Sequence, residues 1–278
     1  MILYEKAYAK INLFLLVGHK RDDGFHDIVT YMRPVSLADE IQIKINDAIE
    51  TDISLTVDGN PNIPTDHSNL VYKAAVLFLN TLKKTAQIEI KLKKYIPSGA
   101  GLGGGSSDGA AVLRALNRYF DFPFSQNQLK EMAAQLGSDV PFFIASKPAL
   151  CEGRGERLTE LRPTCSPYVV IVSGKEHSNT ATAYRLLDEW KERNALTTQA
   201  LPDFANFTKN DVYNDFEGPI SFVCPSVKEH LTRLKSYSPI VCAMSGSGSA
   251  VFALFETEAE AIKAQSAFNV GAFVCKLL

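Results

Sequence analysis

Between residues 8 and 15 apolar and polar positions alternate. Ala9, Ile11, Leu13 and Leu15 fall on one face, Lys10 and Asn12 on the other. Strand side chains two apart point the same way, so this pattern predicts a strand that sends Lys10 and Asn12 into one space. Further strands are predicted over 41–45, 53–57 and 87–95. A turn-rich loop occupies 59–64, and Asp66 or Ser68 caps a helix over 69–83. A helical pattern covers 108–119. Ser125 caps another helix that runs to 136 and stops at Gly137. Pro141 argues against helix, so 141–144 is read as extended.

The second half continues the mixture. Strands are predicted over 168–173, 240–244, 250–255 and 272–277, and helices over 180–191, 226–234 and 257–268, the last capped by Thr257. Residues 195–210 read as loop or short helices. The mixture makes the expected fold class α+β; the length suits one large domain or two modest ones, and the best boundary, in the 154–167 stretch, gives 1–158 and 159–278.

Composition narrows the function classes. The chain has 278 residues, 46% hydrophobic and 22% charged, enough for a sizeable core. A formal net charge of −2 provides no basic field, which argues against a nucleic-acid partner. Lys83, Lys84, Lys91, Lys93 and Lys94 are read as a solvated face. Five scattered cysteines without a C-x-x-C pair fit reduced thiols in a cytoplasmic protein, not disulfides or zinc. Lys6 and Lys10 interrupt the apolar N-terminal stretch, so no signal peptide is expected, and no run is long enough to span a membrane. His19, His67, His177 and His230 show no metal-ligand spacing. Composition leaves the oligomeric state open.

The densest chemical signal is residues 97–107: Pro97, Ser98, Gly99, Ala100, Gly101, Leu102, Gly103, Gly104, Gly105, Ser106 and Ser107. Glycine lets the backbone approach a ligand closely, and a helix N-terminus offers unpaired N–H groups and a positive dipole end. The serines fall where a helix N-cap belongs. Gly99, Gly101 and Gly104 satisfy G-x-G-x-x-G, but Asp121 lies in a loop between two helices, not after a second strand, which weakens a dinucleotide reading. No lysine follows the glycines as a P-loop requires, and the V-A-I-K, H-R-D and D-F-G segments of protein kinases are absent. A plain flexible turn is the alternative. The favoured reading is a phosphate cradle of backbone amides and serine hydroxyls, with Mg²⁺ needed to neutralise a triphosphate.

Residues 97–111 resemble the phosphate loop of the GHMP small-molecule kinases. Residues 137–143 and 245–252 resemble two further segments of that family. Residues 9–15 and 21–26 resemble more narrowly the members that phosphorylate a cytidine-diphosphate-linked methylerythritol. The resemblance implies a two-domain GHMP kinase fold, with an N-terminal mixed βα domain and a C-terminal ferredoxin-like domain. It implies ATP as donor and phosphorylation of the acceptor's 2-hydroxyl. It also implies Asp139 as catalytic base and Lys10 as its cationic partner. Phe25 and His26 would recognise cytosine; relatives often carry tyrosine where Phe25 stands. Asn12 would bond the acceptor, and Tyr184 would add a second aromatic face.

Plainer readings stand beside these. Asp139 suits a turn, Tyr184 suits a helix core, and Ser245 to Ser249 serves equally as a brace or a hairpin turn. Rival functions are a mevalonate- or homoserine-type alcohol kinase, a nucleotide-binding regulator without catalysis and, more remotely, a dehydrogenase. Mg²⁺ ligands are not assigned.

Overall fold

A computed structural model describes residues 1–163, 165–174, 179–194 and 199–278. In chain order the elements are β1 (Ile2–Lys20), β2 (His26–Asp47), β3 (Asp52–Asp58), α1 (Leu70–Leu82), β4 (Ala86–Lys93), α2 (Gly104–Tyr119), α3 (Gln126–Leu136) and α4 (Val140–Ala145). There follow β5 (Ala149–Gly153), β6 (Arg157–Glu160), β7 (Tyr168–Val172), α5 (Thr180–Asn194), β8 (Tyr213–Asn214), α6 (Glu217–Val223) and α7 (Pro225–Lys235). The chain closes with β9 (Val241–Met244), β10 (Val251–Phe255), α8 (Glu258–Gln265) and β11 (Ala272–Lys276).

The chain forms two compact units that interleave along the sequence. One comprises Met1–Ala9, Ala38–Ile96 and Gly103–Ser146, the other Lys10–Leu37, Pro97–Leu102 and Lys147–Leu278. A single cut at 158 does not describe them, because β1 and β2 are long enough to supply strand to both.

In the first unit β4 runs antiparallel to β2 and parallel to β3. Ile88, Ile90 and Leu92 of β4 and Ile41, Ile43 and Ile45 of β2 are buried, the alternation expected of a sheet with one covered face. Helices α1 to α4 pack on one another. Phe78 of α1 is wholly buried and stacks on Phe120, with Phe124 edge-on.

Two local expectations need correction here. Asn69, not Asp66 or Ser68, caps α1: its side chain accepts from Val71 N, while Asp66 organises the preceding turn by accepting from Ser68 N. Residues 141–144 are helical, not extended. Pro141 sits in the first turn of α4, where its missing N–H has no intrahelical partner to lose.

In the second unit β7, α5, α7, β9, β10, α8 and β11 follow a βαββαβ course, with α6 before α7. They form a sheet ordered β11-β7-β10-β9 with every neighbour antiparallel. This is the expected ferredoxin-like arrangement. Val170, Val172, Val251, Ala253 and Phe255 pack with Leu187, Phe216, Ile220, Leu231 and Ala261 in one core that also takes in Leu15, Val17 and Ile28. Residues 195–198 lie outside the described residues. Two short 3₁₀ turns, Phe204–Asn206 and Lys209–Asp211, follow them.

Candidate active site

The glycine loop earns its glycines by conformation. Gly99, Gly101 and Gly103 have φ of 65°, 78° and 70°, the left-handed region that side chains disfavour. A Cβ on Gly101 would lie 2.1 Å from the Ser245 carbonyl oxygen. Gly103 is the N-cap of α2 and makes no side-chain cap bond, so the expectation that serines cap this helix is corrected. Ser106 and Ser107 lie inside its first turns. The helix begins four residues before the periodicity indicates, because its opening Gly-Gly-Ser-Ser carries no apolar signal. Ser107 is fully buried, and its Oγ has no hydrogen-bond partner among the described residues.

A buried charge cluster anchors this helix start. The Lys94 ammonium donates to Asp39 and, at 2.7 Å, to Oδ2 of Asp108. Asp39 Oδ1 also accepts from Tyr95 N at 2.6 Å and Ile96 N at 2.9 Å. Burial works against the Lys94 charge, but Asp108 and Asp39 outweigh it and hold the ammonium above its ordinary pKa. Burial pushes Asp108 up to about 8, against the pull of Lys94. Lys94 is therefore no part of a solvated face. It continues the inward positions Ile88, Ile90 and Leu92, and that alternation was the signal that could have found it.

Lys10 and Asn12 share one space, as their spacing predicts. Both are buried, and Lys10 Nζ donates to Asn12 Oδ1 at 2.6 Å and to the Gly101 carbonyl at 2.8 Å. Asn12 Nδ2 donates to Thr30 Oγ1, which donates in turn to the Phe14 carbonyl. The Ser245 hydroxyl lies 3.1 Å from the Gly101 carbonyl, and Asn214 Nδ2 donates to the carbonyls of Met244 and Gly246. Ala250 N donates to the Ala100 carbonyl. The 245–249 segment thus connects β9 to β10 and braces the start of the glycine loop. Sequence reasoning missed Thr30 and Asn214; only strand register brings them in.

Asp139 belongs to the first unit and is half-buried at the N-cap of α4, where its side chain makes no capping bond to that helix. In the second unit His26 is buried, and its Nε2 lies 2.9 Å from Asp188 Oδ1. The Tyr184 ring stacks on His26 with centroids 4.9 Å apart and meets the core residue Phe216 edge-on. Tyr184 is at once a core residue and a stacking partner. Phe25 is half-exposed, and the Arg154 guanidinium sits 4.1 Å above its ring. Asp188 is four residues from Tyr184 on α5, a helical spacing that could have flagged it. His177 lies outside the described residues. Among the described residues no group of three or more His, Cys, Asp or Glu could hold a metal.

The profile of the GHMP kinases N terminal domain matches residues 69–147, and that of the GHMP kinases C terminal domain matches residues 198–271. The chain is 44% identical to the 4-diphosphocytidyl-2-C-methyl-D-erythritol kinase of Methylacidiphilum infernorum, over 91% of this chain and 86% of that one. It is 37% identical to the enzyme of that name from Caldicellulosiruptor saccharolyticus, over 95% and 92% of the two chains. A crystal structure of 4-(cytidine 5'-diphospho)-2C-methyl-D-erythritol kinase superposes with a TM-score of 0.82 at 32% identity and covers 99% of both chains. With identity at this level sustained along nearly its whole length, the chain belongs to the GHMP kinases, in the group of the 4-diphosphocytidyl-2-C-methyl-D-erythritol kinases.

Proposed function

We infer that this chain uses ATP to phosphorylate the 2-hydroxyl of 4-diphosphocytidyl-2-C-methyl-D-erythritol, a step of non-mevalonate isoprenoid-precursor biosynthesis. The observation that carries the reading is the buried Lys10 ammonium, shared between Asn12 and the Gly101 carbonyl of the glycine loop. It ties a cation and a polar amide to the segment assigned to the phosphates.

Phosphoryl transfer passes through a loose transition state, so catalysis is mostly positioning and charge stabilisation. Main-chain N–H groups within residues 98–106 and the hydroxyls of Ser106 and Ser107 hold the ATP phosphates at the uncapped start of α2. The donor set suits a nucleotide carried with Mg²⁺: the buried Ser107 hydroxyl lacks a partner among the described residues, and a hard cation takes such an oxygen. When bound, Mg²⁺ neutralises charge on the β- and γ-phosphates. Asp139 accepts the proton of the acceptor hydroxyl as its oxygen attacks the γ-phosphorus. Lys10 favours the oxyanion that forms, and Asn12 bonds the acceptor. His26 bonds the cytosine edge while Phe25 and Tyr184 offer aromatic faces. Asp188, beside His26 Nε2, orients that imidazole.

No helix among the described residues is long and apolar enough to cross a membrane, and no disulfide joins the cysteines. A cytoplasmic setting is part of the same reading.

The test is coupled ADP release with the cytidine-linked acceptor, cytidine diphosphate alone, mevalonate and homoserine. Turnover is expected with the first only. Comparable turnover with mevalonate or homoserine would overturn the assignment of substrate.

A further inference from the structure

A cavity of about 910 Å³ opens within the second unit, a size common for small-molecule sites. Its wall includes Tyr31 and Arg33 of β2, Arg162 after β6, and Phe204, Phe207 and Lys209. None of the residues assigned above to nucleotide or acceptor lines it. Thr30 and Tyr31 are neighbours on one strand and face opposite ways: Thr30 bonds Asn12, whereas Tyr31 lines the cavity.

Arg33 is only 2% exposed. Its Nη1 donates to the Cys165 carbonyl at 3.0 Å and its Nη2 to the main-chain oxygen of Leu278 at 3.1 Å. Its Nε has no hydrogen-bond partner among the described residues. The ionisable side chains that act on it, Tyr31 and Cys165, are not carboxylates. A buried cation is strongly unfavourable unless an anion or a full set of hydrogen bonds compensates it. Arg162 and Lys209 add positive charge at the exposed rim. Two acids also line the wall: Glu160, which is paired with Lys147, and Glu256. The apolar side is aromatic. Phe204 and Phe207 lie nearly parallel, with 7° between their planes, and Tyr31 meets Phe207 edge-on at 5.0 Å.

We propose that this cavity is a second ligand site that takes an amphiphilic anion, its phosphate or carboxylate head on Arg33 with Arg162 and Lys209 at the rim, and its apolar body against Tyr31, Phe204 and Phe207. The site does not rest on the kinase assignment, and its test leaves that assignment untouched.

The probe is 1-anilinonaphthalene-8-sulfonate, an aromatic anion, titrated by fluorescence into the full chain under saturating ATP and cytidine diphosphate. Saturable binding is expected. The double variant Arg162→Glu with Lys209→Glu, on exposed positions, weakens it at least about tenfold without lowering the melting temperature or kinase turnover. Phe207→Ala weakens it independently. Dodecyl phosphate and dodecanoate both displace the probe, and the tighter of the two identifies the preferred head group. Binding that ATP or cytidine diphosphate abolishes, or that the charge reversal leaves unchanged, would overturn the proposal. So would displacement by inorganic phosphate as effective as by the alkyl anions, since that describes a bare anion site.

Discussion

Asp108 shows how one buried carboxyl makes folding stability depend on pH. Burial raises it to about 8, with Lys94 opposing and Asp39 adding to the rise. An unfolded aspartate titrates near about 4, so between those values the folded chain holds a proton that the unfolded chain has released. Stability from this group is full below about pH 4 and is lost as pH rises through about 8. Asp108→Asn keeps the shape and removes the titration. Its melting temperature is expected to fall less than that of the unmodified chain between about pH 6 and about pH 9, as read by thermal denaturation. Asp139 calls for a different measurement. Removing a positioned base costs ~10²–10⁴-fold in rate, so Asp139→Asn is expected to lose kcat in that range with ATP binding nearly intact. Near-normal turnover in the purified variant would remove Asp139 from the mechanism. Lys94 carries the lesson in reading single residues. Lysines at neighbouring positions suggest a wet face, but strand alternation places Lys94 with the buried isoleucines, and two carboxylates meet it there.

At the scale of elements, the glycine loop works by backbone geometry. Gly101 adopts φ of 78°, and any Cβ there meets the Ser245 carbonyl oxygen at 2.1 Å. Gly101→Ala must therefore displace either the loop or the β9–β10 connection that braces it. Strain of this kind costs about 1–3 kcal/mol. A lowered melting temperature and a raised KM for ATP are expected from calorimetry and steady-state kinetics. Gly105→Ala is the control for the melting temperature alone: among protein atoms a Cβ there has only Leu70 Cδ1 within reach, at 3.9 Å, and α2 accepts alanine readily. An equal effect from both substitutions would deny Gly101 its special role. The α4 element shows why breaker residues mislead. Proline stops a helix only where an N–H is needed, and the first turn needs none.

At the scale of the molecule, the two compact units are each assembled from separated stretches, and β1 and β2 serve both. No composition shift marks such an arrangement, because strand periodicity runs on unbroken while the partners change. Much was nonetheless legible. The crowding of glycine before a helix, the inward pair Lys10 and Asn12, the caps at Ser125 and Thr257, and the strand–helix sequence of the second half all follow from local rules: side-chain period, φ preference and capping chemistry. These depend on neighbours in the chain and need no tertiary information. What only the fold decided are the meetings of distant residues: Lys94 with Asp39 and Asp108, Asn12 with Thr30, His26 with Asp188, Ser245 with Gly101, and Arg33 with the main-chain oxygens of Cys165 and Leu278 in the wall of a cavity. Such contacts depend on strand register and packing, and a one-residue slip in register would turn the strand side chains among them, Asn12, His26, Thr30, Arg33 and Asp39, to the opposite face.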